Sequence, residues 1–422
     1  MKVARSIRAN PVASQLAHRA SWNFIDQLLS SLSNFLLAIL VARSLSADGY
    51  GAFALSFSLY GYALILSRFL VSQPLTIRFS GAAKHDFDVA AGQSVGAALV
   101  SASLFGAVIG VAGLATGGQL GTSLLSTGIL LPGLLVQDAY RTIFFTAGRP
   151  AAAALNDGAW GLAMVFGVVC LDLLQVGSPV AYLWTWGLSA CLAALLGGIQ
   201  THVWPAPLKA WRWVVAHSQL TRYSVTEVVV IVGSSQLTLV VAAAVGGLSV
   251  VGALRGAQVL TAPTVILTTS ALAFVVPELA RRPDMTGVAL RKAAIQISGV
   301  GAALMAVWCA ALLLIPNSIG QLILGETWVA AHAILLPTVI GVLVGIASLG
   351  ASAVIYARAA MRVMFTWVLL AGPVCLLGGI VGVVLGGAYG VAIGLSIAAA
   401  YQSIVAWSRF TIVSRRSGGS VV

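Results

Sequence analysis

Charged side chains are scarce in this sequence: they make up 8% of its 422 residues, whereas hydrophobic residues make up 59%. A soluble domain carries roughly 25% charged residues, so this chain lacks the polar groups needed to cover a globular surface. The mean hydropathy is correspondingly high, at +0.99. The composition therefore excludes a soluble globular protein and predicts a protein that lies in a membrane.

Cysteine is also scarce, and the motifs of several enzyme classes are missing. The four cysteines lie inside apolar runs and lack the spacing of a disulfide framework or a metal site. The sequence has no P-loop, no HExxH motif and no Cys/His cluster, so we expect no nucleotide motor, no bound metal and no cofactor. The predicted external connections carry no paired acids for glycosyl transfer. We therefore expect a transport protein and not an enzyme.

Apolar runs of about 20 residues, the length that crosses a bilayer, are abundant. They recur from Trp22 nearly to the C-terminus and predict an all-α polytopic membrane protein with twelve transmembrane helices. The first run lacks the small-residue cleavage site of a signal peptide, so we expect it to remain as an anchor. The predicted spans are 21–42, 51–73, 93–116, 121–146, 151–172, 180–201, 222–245, 249–276, 294–315, 328–356, 361–383 and 387–410.

The surplus of positive charge, +12 overall, is sorted by membrane side. Arg43 lies in an odd-numbered connection, and Arg68, Arg141 and Arg255 lie inside predicted spans. Every other lysine and arginine lies near a terminus or in or beside an even-numbered connection. Because lysine and arginine are enriched in cytoplasmic loops, this pattern predicts a multi-pass cell-membrane protein with both termini in the cytoplasm. The charge is then topogenic, and we expect no nucleic acid as a partner.

The two halves of the chain carry similar features about 200 residues apart. Asp26 and Glu227 are separated by 201 positions, and so are Gly51 and Gly252. Six spans in each half, each starting in the cytoplasm, predict two six-helix bundles related as a parallel pseudo-repeat. We expect these bundles to enclose a central cavity.

The domain boundaries follow from the longest connection between spans. We place the N-terminal six-helix bundle at 1–204, an interfacial cytoplasmic linker at 205–221 and the C-terminal six-helix bundle at 222–422. The linker mixes tryptophans with Lys209 and Arg212, a composition that suits a short helix at the membrane interface. We favour aromatic anchoring over a regulatory site as its role.

Two carboxylates lie in spans that have equivalent positions in the two halves. Asp26 belongs to a stripe of polar residues at helical spacing in the first span, and Glu227 belongs to a similar stripe in the seventh. Ionisable residues inside a bilayer are costly and usually face a cavity. We therefore interpret Asp26 and Glu227 as cavity carboxylates, and the hydroxyl groups beside them as helix-packing contacts.

Arginines inside the spans are the candidates for substrate binding, because a guanidinium matches a pair of phosphate oxygens. For Arg68, an internal ion pair with an acid such as Asp26 is an equal alternative. For Arg255, anion binding is favoured, since no acid lies nearby in the sequence.

Arg141 is the third candidate, in the fourth span. Asp138 lies one helical turn before it and could neutralise it, and Asn156 and Asp157 at the start of the fifth span could join the pair. We favour a structural salt-bridge cluster there, with Arg141 as its one candidate for substrate binding.

The turn after the first span carries a family resemblance. A-R-S-L (Ala42 to Leu45) followed by Y-G-A-F (Tyr50 to Phe53) resembles the opening hairpin of bacterial polysaccharide flippases. These O-antigen-type proteins form the oligosaccharide-lipid branch of the multidrug/oligosaccharidyl-lipid/polysaccharide (MATE-like) exporter superfamily. The resemblance implies alternating access and export of a polyprenyl-pyrophosphate-linked oligosaccharide for cell-surface polysaccharide biosynthesis. It also implies a cavity lined by cations, whose counterparts here by position are Arg68, Arg141 and Arg255.

Other functions remain open at this point. A cation-coupled multidrug exporter of the same superfamily would have an acidic, aromatic-lined cavity. A membrane glycosyltransferase or polymerase is disfavoured by the missing external catalytic loop. For the flippase, the expected partners are the lipid-linked oligosaccharide and membrane lipids. Coupling to a proton or a sodium ion through Asp26 or Glu227 is left open.

Overall fold

The computed structural model describes residues 35–282, 285, 287–358 and 361–416, with the backbone alone at 273, 277, 361–369, 415 and 416. Throughout these ranges the regular structure is helical, without a strand. Asp26 and the polar stripe around it lie outside the described residues.

The helices of the first half are joined by short turns. They are α1 (Phe35–Ser44), α2 (Ala47–Ser67), a π-helical segment (Arg68–Ser72), α3 (Gln73–Phe79), α4 (Lys84–Thr116), α5 (Gly118–Thr146), α6 (Pro150–Leu173) and α7 (Pro179–Thr201). Helix α5 packs along both α4 and α7, and α6 packs on α7.

The second half begins with a 3₁₀ turn at Pro207–Lys209. Its helices are α8 (Ala210–Gly246), α9 (Leu248–Thr261), α10 (Pro263–Ala280), α11 (Gly287–Leu313), α12 (Asn317–Leu324), α13 (Thr327–Ala333), α14 (Leu335–Ile346), α15 (Leu349–Ala357) and α16 (Met361–Arg416). Helix α16 packs on α14 and α15, and α13 packs on α9.

Ten helical segments of the described chain are long and apolar enough to cross a membrane, so the protein is a multi-pass membrane protein. The count of twelve stays a prediction. The first predicted span is described only from residue 35, and the eighth, 249–276, is divided at Ala262 into α9 and α10. Helix α16 combines the last two predicted spans.

Helix α16 is interrupted at the position where the sequence predicts a connection between its last two spans. Gly386 and Gly387 leave the helical conformation, and Gly387 has a φ of 53°, which a residue with a Cβ adopts only at a cost. On either side of this turn the two arms approach through facing glycines, Gly382 against Gly390 and Gly378 against Gly394. The last two predicted spans therefore form a tight antiparallel hairpin.

The described chain separates into two compact units. The first contains the described residues up to Leu45 and Ser56–Val225, and the second contains Ser46–Leu55 together with the described residues from Thr226 onward. The first turns of α2, which carry the Y-G-A-F motif, thus belong to the second unit, although the chain on both sides of them belongs to the first. The predicted boundaries at 204 and 222, and two bundles of six helices, stay predictions.

The linker differs from the short separate helix that the sequence suggests. From Ala210 it is the beginning of α8, which continues to Gly246 without a break over 37 residues. At about 1.5 Å per residue such a helix is about 55 Å long, whereas the hydrocarbon core of a bilayer is about 30 Å thick. One end of α8 must therefore project well beyond the apolar layer.

Gly51 and Gly252 form a close crossing within the second unit. A Cβ at Gly51 would overlap the carbonyl oxygen of Leu248, and a Cβ at Gly252 would lie 2.8 Å from the carbonyl oxygen of Ala47. Residues 47 and 248 are separated by the same 201 positions as the two glycines. The first turns of α2 and α9 thus contact each other through residues at equivalent positions of the sequence repeat, with each glycine against the backbone of the other helix.

Gly51→Ala tests this crossing. The added methyl group must displace the backbone of α9, so we expect a loss of about 1–3 kcal/mol of stability, as for other overpacked sites. The measurement is the thermal midpoint of the purified protein in detergent. Gly61→Ala is the matched control on the same helix, because nothing lies within 4 Å of its added Cβ. Equal midpoints for the two variants would contradict the crossing.

Candidate functional site

The second predicted span contains a π-helical segment, Arg68–Ser72, in which the backbone N–H of Gln73 donates to the carbonyl of Arg68. Pro74 follows directly in α3. A proline has no N–H to donate, and its ring crowds the carbonyl four residues before it, so the helix widens just ahead of it. Such π-turns occur frequently at functional sites, and Arg68 is the first residue of this one.

The widened turn is fixed by side chains from two other parts of the first unit. The carbonyl of Val71 accepts hydrogen bonds from the Ser94 hydroxyl and from the Trp213 indole, both at 3.3 Å. Trp213 is buried and its ring stacks on Phe79 with 5.9 Å between centroids. This tryptophan of the linker therefore supports the π-helical segment, a role that its exposed neighbour Trp211 does not share.

Arg68 forms an ion pair with Asp138 of α5. Its Nη2 lies 2.6 Å from Asp138 Oδ1, and its Nε lies 3.0 Å from Oδ2. The Asp138 side chain is 8% exposed, whereas that of Arg68 is 43% exposed. The internal ion pair that the sequence left as an alternative is therefore present. Its described partner is Asp138, and Asp26 lies outside the described residues.

Arg141 lies at the centre of a second, more deeply buried set of contacts. Its Nε lies 2.8 Å from Asp157 of α6, and the two side chains are 15% and 2% exposed. Gln137 donates to both Asp157, at 2.8 Å, and Asn156, at 3.3 Å. Asn156 in turn donates to the Ala193 carbonyl of α7. Asn156 and Asp157 thus lie in one set of contacts with Arg141, as the sequence suggested, whereas Asp138 pairs with Arg68. These contacts also include a glutamine that sequence reasoning missed.

These polar residues together are called the charge cluster: Arg68, Gln137, Asp138, Arg141, Asn156 and Asp157. An aromatic group lies beside it, in which the rings of Tyr60 and Trp186 meet edge to face at 4.6 Å and Phe57 packs on both. Tyr60 lies within electrostatic range of all four charged members of the cluster. Sequence reasoning missed these aromatic residues, because single aromatics in apolar spans carry no recognisable pattern.

The charge cluster contains two cations and two anions, so its net charge is zero. Asp138 engages Nε and Nη2 of Arg68, while 43% of the arginine side chain remains exposed. A guanidinium carries five N–H donors in a planar fork, so Arg68 can offer donors to an oxyanion while it stays paired. Among the described residues, no group of three His, Cys, Asp or Glu side chains could hold a metal ion.

The other two predicted site residues lie in the second unit. Arg255 on α9 is half-buried, donates to Gln258 at 3.3 Å and lies within electrostatic range of Tyr50. Glu227 on α8 is exposed and lies within electrostatic range of Tyr356. The structure thus brings Arg68 and Arg141 into one cluster and places Arg255 and Glu227 on separate helices. The functional roles of all four stay predictions.

The buried pair of Arg141 and Asp157 allows a stability test. Arg141→Gln leaves Asp157 without this cation, and breaking a buried ion pair in this way costs about 3–5 kcal/mol. We expect a lower thermal midpoint for the single variant. The double variant with Asp157→Asn, which carries no buried charge at this pair, should recover much of that loss. If the double variant is as unstable as the single one, the pair does not act as a structural unit.

Several solved structures have folds similar to that of this chain. No family model matches the chain, and no curated protein does. A multidrug resistance MATE family transporter of the MOP superfamily, in an inward-facing conformation, aligns with a TM-score of 0.69 at 13% identity over 96% of this chain and 100% of that chain. Lipid II flippase MurJ, in an inward closed conformation, aligns with a TM-score of 0.65 at 13% identity over 95% and 90%.

A third structure has a similar extent. It is a MOP superfamily transporter from Pyrococcus furiosus with a binding pocket of reversed polarity, and it aligns with a TM-score of 0.55 at 14% identity over 96% of both chains. All three likenesses cover nearly the whole of the described chain. The chain therefore has the all-helical fold of MOP superfamily transporters.

Proposed function

We propose that the protein is a flippase that moves a polyprenyl-pyrophosphate-linked oligosaccharide from the cytoplasmic to the outer leaflet of the cell membrane by alternating access. The observation that carries this proposal is Arg68, whose side chain is 43% exposed within a membrane-spanning helix while Asp138 holds its guanidinium in place. The fold, shared with a lipid II flippase and with multidrug transporters, supports a transporter. The arginine supports an anionic substrate.

The position of Arg68 is informative because a membrane-spanning helix is surrounded by lipid chains, by other helices or by a cavity. A guanidinium exposed to lipid at this depth costs several kcal/mol, and such residues instead face a water-filled cavity or a partner. Arg68 lies about 16 Å along the helix axis from Phe79, the end that we predict to be cytoplasmic. A pyrophosphate entering with its lipid from the inner leaflet would reach this arginine within the inner half of the membrane.

The pairing of Arg68 with Asp138 suits a transporter better than an isolated arginine would. A lone cation in an apolar cavity would bind a pyrophosphate tightly and release it slowly. Here Asp138 competes with the substrate for the same guanidinium, and it restores a neutral site when the substrate leaves. Basic residues at the predicted cytoplasmic connections would raise the local concentration of anionic headgroups on the loading side.

Reconstituted transport tests this role of Arg68. A fluorescent polyprenyl-pyrophosphate oligosaccharide is placed in proteoliposomes, and its movement is followed with a membrane-impermeant quencher. We expect the variant Arg68→Gln with Asp138→Asn to reduce the initial rate at least tenfold. The paired substitution removes both charges, so neither is left buried alone.

The control for this experiment is Arg43→Gln, which removes an exposed arginine at the end of α1, outside the predicted cytoplasmic connections. Its transport rate should match that of the unsubstituted protein. A rate within twofold of normal for the Arg68 and Asp138 variant, with normal folding, would refute substrate binding at Arg68. In cells, a deletion strain should accumulate the lipid-linked oligosaccharide in the inner leaflet, whereas single unpolymerised units outside would indicate a polymerase.

Glu227 favours a second candidate function, a cation-coupled multidrug exporter. This carboxylate is exposed on the membrane-spanning helix α8, where it could bind a proton, a sodium ion or a cationic drug. The first half of the sequence carries Asp26 at the corresponding position.

A dye-efflux assay separates the two candidates. If the protein exports cationic drugs, proteoliposomes with an imposed proton or sodium gradient will move a cationic dye, and Asp26→Asn with Glu227→Gln will abolish this movement. Glu326→Gln, at an exposed carboxylate outside the long helices, is the matched control. An absence of dye movement by the unsubstituted protein eliminates the drug exporter. Gradient-driven flipping that survives the double substitution eliminates coupling through these carboxylates.

A further inference from the structure

A groove of about 340 Å³ lies in the first unit, between α5 and α7, outside the charge cluster. Its lining is apolar side chains and helix backbone, and at one end it is closed by Trp204 and by Pro205, the first residue of the linker. On α5 it extends from Pro132 to Tyr140, which is about 12 Å along the helix axis. The groove therefore has the shape and the polarity to hold a hydrocarbon chain.

The groove exists because small residues bring α5 and α7 close together. A Cβ at Gly133 would overlap the sulfur of Cys191, and the floor between the helices is formed in part by Ala194. The rim is open, since Leu195 and Trp204 are 57% and 60% exposed. In a membrane-spanning unit, an open apolar groove of this kind faces lipid chains.

The end of the groove at the linker is held in place by hydrogen bonds. The Tyr140 hydroxyl donates to the Val203 carbonyl at 2.8 Å, and the Ala206 N–H donates to the Gly92 carbonyl of α4 at 2.9 Å. The Lys209 N–H donates to the Ala206 carbonyl at 3.0 Å. Lys209 therefore lies about one turn beyond the residues that close the groove.

The linker next to the groove exposes both basic and large apolar side chains. Leu208 is 98% exposed and Trp211 is 76% exposed, and Lys209 and Arg212 are exposed between and beside them. Apolar and aromatic side chains that alternate with cations are typical of a surface lying at the lipid headgroups. The groove thus ends where phosphate groups of a leaflet would be found.

We propose that this groove is a binding site for an anionic phospholipid, with one acyl chain between α5 and α7 and the phosphate at Lys209 and Arg212. The acyl chain supplies apolar contact along the groove, and the two cations select the negative headgroup. Each basic residue near an anionic lipid surface contributes about a fivefold gain in affinity. The bound lipid would join the linker to the two helices, so that the docked linker depends on the lipid composition of the leaflet.

Native mass spectrometry of the full-length protein in detergent tests the site. Phosphatidylglycerol and phosphatidylcholine with the same acyl chains are titrated separately. We expect one phosphatidylglycerol to bind at least fivefold more tightly than phosphatidylcholine. Lys209→Gln with Arg212→Gln should remove this preference, a loss of about 5- to 25-fold in phosphatidylglycerol affinity. A preference that survives the double substitution overturns the headgroup assignment.

A second pair of variants tests the groove itself. Leu195→Trp places an indole at the exposed rim and should weaken the binding of both lipids. Leu192→Trp is the matched control, since Leu192 is 59% exposed on the same helix and does not line the groove, and it should bind as the unsubstituted protein does. Equal binding by the two variants refutes the groove as the acyl-chain site.

Competition identifies the occupant. Glycerol phosphate should not displace the bound phospholipid, because it lacks the acyl chain. If it does displace the lipid, the site recognises a headgroup alone and the proposal fails. If polyprenyl phosphate displaces phosphatidylglycerol at equal concentration, the groove belongs to the substrate path and the phospholipid assignment is wrong. These outcomes do not depend on the transport rates measured for Arg68, so this proposal and the proposed function can fail separately.

Discussion

Placing an ionisable side chain at the centre of a bilayer costs about 2.5–3.5 kcal/mol, even on the scales obtained from membrane-insertion experiments. This constraint explains how the first unit is organised. Arg68 of the second predicted span pairs with Asp138 of α5, and Arg141 of α5 pairs with Asp157 of α6. Helix α5 must therefore pack against the second predicted span and against α6 at fixed heights. A shift of α5 along either helix would separate an ion pair and leave a charge alone in an apolar medium. Arg68 is the more exposed of the two arginines in this cluster, at 43% against 15% for Arg141.

Packing between the helices follows from a different property of the bilayer. Apolar side chains gain little by leaving lipid for protein, so close van der Waals contact between small residues becomes important. The two arms of α16 meet through facing glycines, and so do α4 and α5, with Gly106 against Gly128 and Gly113 against Gly121. The crossing of Gly51 and Gly252 has the same basis, and these contacts fix the distances at which polar residues such as Ser94 can reach a neighbouring backbone.

The all-helical, multi-pass character of the protein could be predicted from the sequence, because long apolar runs are a strong signal in a membrane protein. The salt-bridge cluster of Asp138, Arg141, Asn156 and Asp157 could also be predicted, since few polar residues occur in these spans and they must find one another. The pairing within this cluster could not be predicted. The spacing of three residues suggested that Asp138 pairs with Arg141 on the same helix. In the structure, Asp138 pairs with Arg68 and Arg141 pairs with Asp157. The π-helical segment was missed as well, because Pro74 signals a disturbed helix without showing which carbonyls are released.

The π-helical segment, Arg68–Ser72, adds one residue to a turn of its helix. One inserted residue rotates everything beyond it by about 100° about the helix axis, so relaxation of Arg68–Ser72 to a regular helix would turn α3 by that amount relative to Arg68. Pro74 has no backbone N–H to donate, and the Val71 carbonyl within the segment accepts hydrogen bonds from Ser94 and Trp213. The conformation of the segment that begins at Arg68 is thus supported by a side chain that lies 142 residues after Val71 in the sequence.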